Sequence, residues 1–207
     1  MSSWLALTDR ARLRPGETVL INGAAGASGR LAIGIAKHLG ADKVIVTARN
    51  SSSFDQLRAL GADVLIPLDF PHDRLRAEFR EAIHGHRVGV VLDYLWGPSA
   101  EVLLQVAGEY TAGVVQPRIR YVQIGSISGP DIRLTGALLR SSSLELMGSG
   151  LGSSCPQSIV AAAGQVFRAM DKAGLSIETV CFDLAEVDVA WEHATNARLV
   201  FRMERDG

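Results

Sequence analysis

Short apolar runs alternate with longer amphipathic stretches along most of the chain. Runs of β-branched and aliphatic residues are typical of buried strands, and apolar positions that recur every three or four residues indicate helices. The apolar runs predict strands at 18–21, 44–47, 64–66, 88–93, 120–124 and 144–147. Strands that alternate with helices favour a parallel sheet. We therefore predict an α/β protein with a doubly wound parallel sheet of about six strands and helices on both faces.

The amphipathic stretches predict a helix before the first strand and further helices between the strands. They lie at 2–12, 31–39, 54–60, 73–83, 98–107, 134–140 and 157–172. In the last of these, the spacing of Val160, Ala163, Phe167 and Met170 is typical of the face on which a helix packs. The end of the chain reads strand, helix, strand at 180–182, 187–193 and 198–203. We predict one domain, 1–207, in which 1–13 is a leading helix and 184–207 is a tail.

A glycine-rich turn separates the first predicted strand from its helix. Gly23, Gly26 and Gly29 give a G-x-x-G-x-x-G spacing. The first turn of a helix leaves backbone N–H groups unpaired and carries about half a positive charge, so it is suited to binding an anion. Gly26 would let a diphosphate approach the backbone, and Gly29 would let the helix pack against the strand. This Rossmann-like pattern favours dinucleotide binding; the alternative is a glycine-rich turn that binds no ligand.

The end of the second strand is the position that distinguishes the two nicotinamide cofactors. An acidic residue there would bind the ribose 2′-hydroxyl of NAD, whereas an arginine beside small hydroxyl side chains suits the 2′-phosphate of NADP. The sequence has Arg49 followed by Asn50 and three serines, with no acidic residue before Asp55. We predict NADP(H) as the cofactor; the alternative is that Arg49 is a surface charge in a serine-rich loop.

The fourth strand ends in Tyr94, Leu95 and Trp96. Ligands of open α/β sheets bind beyond the carboxyl ends of the strands, so these residues lie where a nicotinamide or a substrate could contact them. The alternative is that Tyr94 and Trp96 only cap the core.

Overall composition excludes several classes of function. The 207 residues are 47% apolar and carry a formal net charge of −1, which gives no electrostatic reason to expect a nucleic acid or an anionic membrane as partner. No apolar run approaches the roughly 20 residues of a membrane span, and the N-terminus lacks a signal pattern. We expect a soluble, cytoplasmic protein.

Metal binding is not expected from the sequence. Cys155 and Cys181 lack the paired spacing of a zinc site and are too few for a disulfide framework. His84 and His86 lie between a predicted helix and a strand without other ligand types nearby, so we interpret them as part of a solvated turn.

Several segments together resemble the medium-chain dehydrogenases/reductases, and within them the zinc-independent quinone oxidoreductases. The segments that carry the resemblance are 13–29, 61–63, 88–93, 121–125 and 190–193. The resemblance implies an NADPH-dependent hydride transfer to a quinone, an enone or a similar small carbonyl acceptor. It also implies a homodimer, which agrees with the sixth strand lying at a sheet edge.

The resemblance assigns the cofactor contacts by position. The diphosphate maps to Ala25, Gly26, Ala27 and Ser28, the 2′-phosphate to Arg49, Asn50 and Ser53, and the nicotinamide to Tyr94, Leu95, Gly125 and Ser126. Tyr94, whose hydroxyl follows the fourth strand, is the candidate proton donor, although the family relies mainly on cofactor positioning.

The resemblance also implies that the family's N-terminal catalytic lobe would precede Ser2. We therefore expect this chain to be a cofactor-binding domain, with turnover by this part alone left open. The alternative function is a non-catalytic NADP-binding redox sensor or regulatory module. A short-chain reductase is disfavoured because no tyrosine is followed by lysine at the Tyr-x-x-x-Lys spacing.

Overall fold

A computed structural model describes residues 1–109, 117–193 and 197–203 of the chain. The chain divides into two compact units, Met1–Leu175 and Ser176–Gly207. The second unit begins at Ser176, whereas the sequence analysis predicted a tail that begins at residue 184.

The first unit is built on one parallel sheet. Its strands are β1 (Thr18–Asn22), β2 (Lys43–Ala48), β3 (Val64–Pro67), β4 (Val88–Asp93), β5 (Ile119–Gln123) and β6 (Leu144–Gly148). They lie side by side in the order β3-β2-β1-β4-β5-β6, and every pairing is parallel. Each strand lies within one residue of the range predicted from its apolar run. The predicted doubly wound α/β sheet is confirmed.

Helices cover both faces of this sheet. They are α1 (Ser2–Leu5), α2 (Ala27–His38), α3 (Phe54–Ala59), α4 (His72–Arg80), α5 (Gly97–Ala107), α6 (Gly136–Ser141) and α7 (Pro156–Ala169). Successive strand residues point to opposite faces, so Val19 and Ile21 join one buried cluster with α2 while Leu20 joins the other with α4 and α5. Both faces of the central strands are therefore covered.

The strand order reverses direction at β1. The chain proceeds from β1 outward to β2 and β3, then returns to place β4 on the other side of β1. Connections leave the carboxyl ends of β1 and β4 in opposite directions, which opens a crevice between them. This fold binds ligands in that crevice. The glycine turn after β1 and residues 94–96 after β4 border it.

Arg120 of β5 anchors the segment that follows the leading helix. A π-helical turn, Ala6–Arg10, extends α1, and its apolar residues are buried against the core. Arg120 on β5 is 9% exposed and donates hydrogen bonds to the carbonyl oxygens of Ala11 at 2.7 Å and Arg12 at 3.2 Å. Its guanidinium also pairs with the carboxylate of Glu17.

The packing of α7 differs from the prediction. Val160 and Phe167, assigned to the packing face by their spacing, are 72% and 74% exposed. The helix instead buries Ala162 and Ala169 against the first core cluster. Small alanine side chains let α7 pack against this cluster on the side of α1, which leaves the larger apolar side chains on the outer face.

The second unit contains β7 (Thr179–Asp183), α8 (Val187–Glu192) and β8 (Arg198–Arg202). The two strands pair in parallel. The strand, helix, strand order predicted for the end of the chain is confirmed.

Candidate functional site

The turn between β1 and α2 requires glycine at position 29. A Cβ atom on Gly29 would lie 2.6 Å from Cα of Ala24 and 2.6 Å from the carbonyl oxygen of Gly23. Such distances are too short for any side chain, and the neighbours are backbone atoms that cannot move aside cheaply. Gly29 therefore allows the helix to begin directly against the turn.

Gly26 serves the opposite purpose, because its surroundings are open. It is the residue before the first turn of α2, it has an extended backbone, and a Cβ atom there would meet nothing within 4 Å. Gly26, Ala27 and Ser28 are exposed and Ala25 is half-buried. No side chain caps the helix and its first turn carries no acidic residue. An anion can therefore reach the positive end of α2.

Thr47 joins the glycine turn to the end of β2. Its hydroxyl accepts a hydrogen bond from the amide of Gly23 at 2.9 Å, and its carbonyl oxygen accepts one from the amide of Ala24 at 2.9 Å. Arg49 follows two residues later, is exposed, and has no ion-pair partner among the residues that the structure describes. Arg49 is thus a solvent-accessible cation beside the predicted diphosphate loop.

The residues after Arg49 fold into a compact turn. Asn50 accepts a hydrogen bond from the amide of Ser52 through its side-chain oxygen at 2.9 Å. Its carbonyl oxygen accepts one from the hydroxyl of Ser53 at 2.7 Å. These bonds fix the shape of the 3-10 turn Ser51–Ser53, and they bring Asn50 and Ser53 together beside Arg49.

A buried polar network, which the sequence did not predict, crosses the carboxyl ends of four strands. The side chain of Asn22 donates to Asp93 at 2.9 Å and to Ser99 at 3.0 Å, and it accepts from the hydroxyl of Thr47 at 2.7 Å. Tyr121 donates its hydroxyl hydrogen to the other oxygen of Asp93 at 2.7 Å. Asn22 and Asp93 stand out in the sequence as polar residues that end apolar strands, which is the one available signal.

Asp93 organises the turn that follows β4. One carboxylate oxygen accepts hydrogen bonds from the amides of Leu95 at 2.9 Å and Trp96 at 3.1 Å. Burial raises the pKa of Asp93 above its ordinary value, and its hydrogen bonds, that of Tyr121 foremost, oppose the shift. Burial also raises the pKa of Tyr121 well above its ordinary value.

The ends of β4 and β5 are held together through their backbones. The amide of Gly125 donates to the carbonyl oxygen of Asp93 at 3.1 Å, and the amide of Ser128 donates to that of Leu95 at 2.8 Å. A Cβ atom on Gly125 would lie 2.7 Å from the carbonyl oxygen of Tyr94, so only glycine permits this approach. The structure therefore brings Tyr94, Leu95 and Gly125 into contact, and the exposed Ser126 is the next residue of the same loop.

Tyr94 reaches from the end of β4 to the leading helix and the glycine loop. Its hydroxyl donates to the hydroxyl of Ser3 at 2.8 Å, and Ser3 donates to the carbonyl oxygen of Ser28 at 3.2 Å. Burial raises the pKa of Tyr94 to about 12, with the Ser3 hydrogen bond acting in the opposite direction. The phenol therefore keeps its proton at neutral pH.

A surface cavity of about 300 Å³, shallow and largely open to solvent, lies beyond the carboxyl ends of β5 and β6. It is lined by Trp96, Gln123, Pro130, Leu146, Met147 and Gly148. Trp96 and Gln123 belong to the two strand ends that border the predicted nicotinamide position.

Clusters of potential metal ligands and long apolar helices are both absent from the described residues. In the described ranges, no three His, Cys, Asp or Glu side chains come together as potential metal ligands, and both cysteines are exposed free thiols. None of the helices in those ranges is both long enough and apolar enough to span a bilayer.

Comparison with known families gives one clear match. The model of a family described as zinc-binding dehydrogenase matches residues 27–167, which is most of the first unit.

Two curated relatives illustrate the range of proteins that contain such a segment. The polyketide synthase GfsB of Streptomyces halstedii is 41% identical over 105 residues, or 51% of this chain and 2% of the synthase. The probable NADPH-dependent quinone reductase tdiC of Emericella nidulans is 33% identical over 161 residues, or 73% of this chain and 44% of the reductase. The chain thus spans less than half the length of either relative.

Solved structures share the fold over nearly the whole chain. The crystal structure of AibC has a TM-score of 0.79 at 24% identity, covering 99% of this chain and 54% of AibC. Mycobacterial Rv1454c, solved in complex with NADPH, has a TM-score of 0.74 at 21% identity, covering 91% of this chain and 57% of that protein. At these identities the likeness establishes the fold.

Proposed function

Because the chain belongs to the zinc-binding dehydrogenase family, within the medium-chain dehydrogenases/reductases, we propose that it is the NADPH-binding part of a quinone or enone reductase. A bound NADPH would supply a hydride to a small carbonyl or quinone acceptor. The observation that carries the proposal is the open, uncapped start of α2 beside the solvent-accessible cation of Arg49.

The first step of the proposal is that the start of α2 holds the diphosphate. The exposed backbone of Gly26, Ala27 and Ser28, together with half-buried Ala25, offers amide donors with no competing side-chain cap. Because a Cβ atom on Gly26 would point into open space, that space remains for the ligand. The residues present therefore fit a dinucleotide.

The second step is that Arg49 selects NADPH over NADH. A guanidinium binds a phosphate with two parallel hydrogen bonds, and here it has no carboxylate to satisfy it among the described residues. Asn50 and Ser53 form the turn that directly follows Arg49, and they would present polar groups beside it.

The third step is that the joined ends of β4 and β5 position the nicotinamide. Leu95, Gly125 and Ser126 would border the ring, because Gly125 lies against the backbone of Tyr94. Holding the cofactor ring and the acceptor in a reactive orientation is the main contribution we assign to this part of the chain.

Tyr94 is the proton donor that we propose, since its hydroxyl follows the end of β4 and is within hydrogen-bond distance of the Ser3 hydroxyl. Burial raises its pKa to about 12, so the phenol carries its proton at neutral pH but is a weak acid. To donate, the hydroxyl must exchange its hydrogen bond with Ser3 for one with the acceptor. Tyr94→Phe should then lower turnover by a similar factor throughout the neutral pH range. Unchanged turnover would assign Tyr94 to holding the leading helix instead.

The alternative is a module that binds NADP without turnover and regulates a partner. The observation in its favour is that the hydroxyl of Tyr94, the candidate proton donor, is already engaged with the hydroxyl of Ser3 at 2.8 Å. Consumption of NADPH in the presence of a quinone supports the reductase, whereas tight binding without consumption supports the regulatory module.

We also propose a zinc-independent, cytoplasmic homodimer. Within the first unit β6 is a sheet edge, and its Leu146 is 37% exposed, so a second copy could pair with this strand. Sedimentation equilibrium tests the oligomeric state directly. A monomer at all concentrations would exclude the dimer.

The decisive experiment compares the two cofactors. In a titration that follows nucleotide fluorescence, NADPH should bind at least about tenfold more tightly than NADH, or about 1.4 kcal/mol. Arg49→Ala should remove this difference by weakening NADPH binding alone.

Arg140→Ala, which removes an exposed arginine of α6, is the matched control and should leave both affinities unchanged. If Arg49→Ala keeps the preference for NADPH, the 2′-phosphate site is elsewhere. If neither nucleotide binds the unaltered chain, the proposed function is wrong.

A further inference from the structure

Trp96 has a backbone conformation that non-glycine residues rarely adopt. Its φ is 59° and its ψ is −159°, which lies outside the left-handed helical region and in space used almost exclusively by glycine. A bulky side chain persists in such a conformation only where the surrounding structure imposes it. Strained residues of this kind cluster at ligand-binding and active sites.

Two contacts impose this conformation. The amide of Trp96 donates to the buried carboxylate of Asp93 at 3.1 Å. On the other side, Gly97 lies so close to Ser128 that a Cβ atom on it would be 2.8 Å from the Ser128 carbonyl oxygen. The backbone of Trp96 is thus fixed between the end of β4 and the loop after β5.

The strained residue contributes its side chain to the wall of the cavity beyond β5 and β6. Pro130, Leu146 and Met147 add apolar side chains to a surface that polar and apolar atoms share about equally, and none of the described residues that line it is charged. Gln123 provides the polar group: its Nε2 donates one hydrogen bond to the carbonyl oxygen of Gly125 at 3.0 Å. The second amide hydrogen of Gln123 remains for another acceptor.

The cavity has the dimensions of a small ligand site. Its volume of about 300 Å³ falls at the lower end of the range for small-molecule pockets, and its open side would leave one face of a bound ring in solvent. Three apolar side chains, an indole and one amide donor match a flat, uncharged molecule with a carbonyl oxygen.

We propose that this cavity binds the planar conjugated portion of the acceptor, stacked on the indole of Trp96, with the amide of Gln123 donating to an acceptor carbonyl oxygen. This identity of the ligand rests on the proposed reductase function. The hydrogen bond to Asp93 and the close contact with the loop after β5 would then hold an indole at a position where the backbone alone would favour glycine.

Equilibrium dialysis with duroquinone in the absence of NADPH tests this proposal. Every ring carbon of duroquinone is either methylated or a carbonyl, so the exposed thiols of Cys155 and Cys181 do not add to it readily. Trp96→Gly should weaken duroquinone binding by about tenfold or more, because the stacking surface is lost. Trp96→Phe should retain most of the affinity, and NADPH affinity should be unchanged in both variants.

Trp191→Phe is the matched control, because Trp191 lies in the second unit and is 81% exposed. Equal duroquinone affinity in the unaltered chain and Trp96→Gly would overturn the proposal, as would no duroquinone binding to the unaltered chain. Failure of NADPH to bind any variant would instead overturn the proposed function. Even then, an affinity for duroquinone that depends on Trp96 would identify the cavity as a ligand site.

The strain itself has a separate readout. Trp96→Gly and Trp96→Ala both remove the indole, but only glycine adopts the imposed conformation freely. Trp96→Gly should therefore melt at a higher temperature than Trp96→Ala. A higher melting temperature for Trp96→Ala would show that the backbone at position 96 is not strained.

Discussion

Two glycines in one turn have opposite physical requirements. Gly29 faces backbone atoms at 2.6 Å, whereas Gly26 faces open space. Both positions match the same sequence pattern, but the structure separates a packing role from a ligand-binding role.

The pair Gly29→Ala and Gly26→Ala tests this distinction. Gly29→Ala should lower the free energy of unfolding by about 1–3 kcal/mol, because the added methyl overlaps the turn. Gly26→Ala should lower the free energy of unfolding by about 1 kcal/mol or less, because it affects only the residue preference at the N-cap of the helix. It should nevertheless weaken NADPH binding, since the methyl occupies the space proposed for the diphosphate. Urea unfolding and nucleotide titration measure the two effects, and equal losses of stability would contradict the assignment.

The buried carboxyl of Asp93 makes stability depend on pH. Its pKa is raised above 3.8 in the folded protein, so the folded state binds this proton more tightly than the unfolded chain does. The contribution to stability is therefore greatest below pH 3.8, falls as pH rises through the raised pKa, and is constant above it.

Asp93→Asn removes this titration while keeping a group that can accept hydrogen bonds from the amides of Leu95 and Trp96. The free energy of unfolding of Asp93→Asn, minus that of the unaltered chain, should grow as pH rises from 3.8 through the raised pKa of Asp93 and then level off. Urea unfolding at a series of pH values measures it. Asp171→Asn, at an exposed position of the first unit, should show no such trend; a flat difference for Asp93→Asn would refute the prediction.

The glycine turn was predictable from the sequence, but the Asp93 network was not, because its residues lie far apart along the chain. All residues of the turn lie within one short segment, and their spacing carries the geometry. Asn22 and Asp93 are 71 positions apart, so their contact exists only once β1 and β4 pair. The strained backbone of Trp96 likewise depends on a carboxylate and a loop that meet it only in the folded sheet.

At the scale of elements, the strand positions were predictable because each apolar run is bounded by turn residues. The exposed outer face of α7 was not. Its apolar spacing is real, but spacing alone does not tell which side of a helix meets the core, and α7 buries Ala162 and Ala169 instead.

The attachment of the leading helix to β5 gives a prediction at this scale. Arg120→Ala should lower the free energy of unfolding by about 2 kcal/mol or more, because the carbonyl oxygens of Ala11, Arg12 and Gly89 and the Glu17 carboxylate lose a largely buried partner. Arg118→Ala is the control: that side chain is 66% exposed and pairs with Glu145, so its loss should cost under about 1 kcal/mol. Hydrogen exchange should show the leading helix opening first in Arg120→Ala, and similar protection in both variants would contradict this role.

At the scale of the whole molecule, the residues assigned to the cofactor all lie in the first unit. The six-stranded sheet and both buried clusters also lie there. The second unit contains a two-stranded sheet, which is too small to form a stable core alone.

A chain ending at Leu175 should therefore fold, unfold cooperatively and bind NADPH within a few-fold of the full chain. Circular dichroism melting and nucleotide titration test this. Loss of NADPH binding in a folded 1–175 chain would show that the second unit contributes to the cofactor site.

The two cysteines of the chain fall one in each unit, Cys155 in the first and Cys181 in the second, and both thiols are exposed. Nitroxide spin labels can therefore be attached to the natural sequence without adding or removing a cysteine. Pulsed dipolar spectroscopy on the doubly labelled protein would then record the distance distribution between the units. A shift of that distribution on addition of nucleotide would reveal hinge motion coupled to occupancy of the crevice.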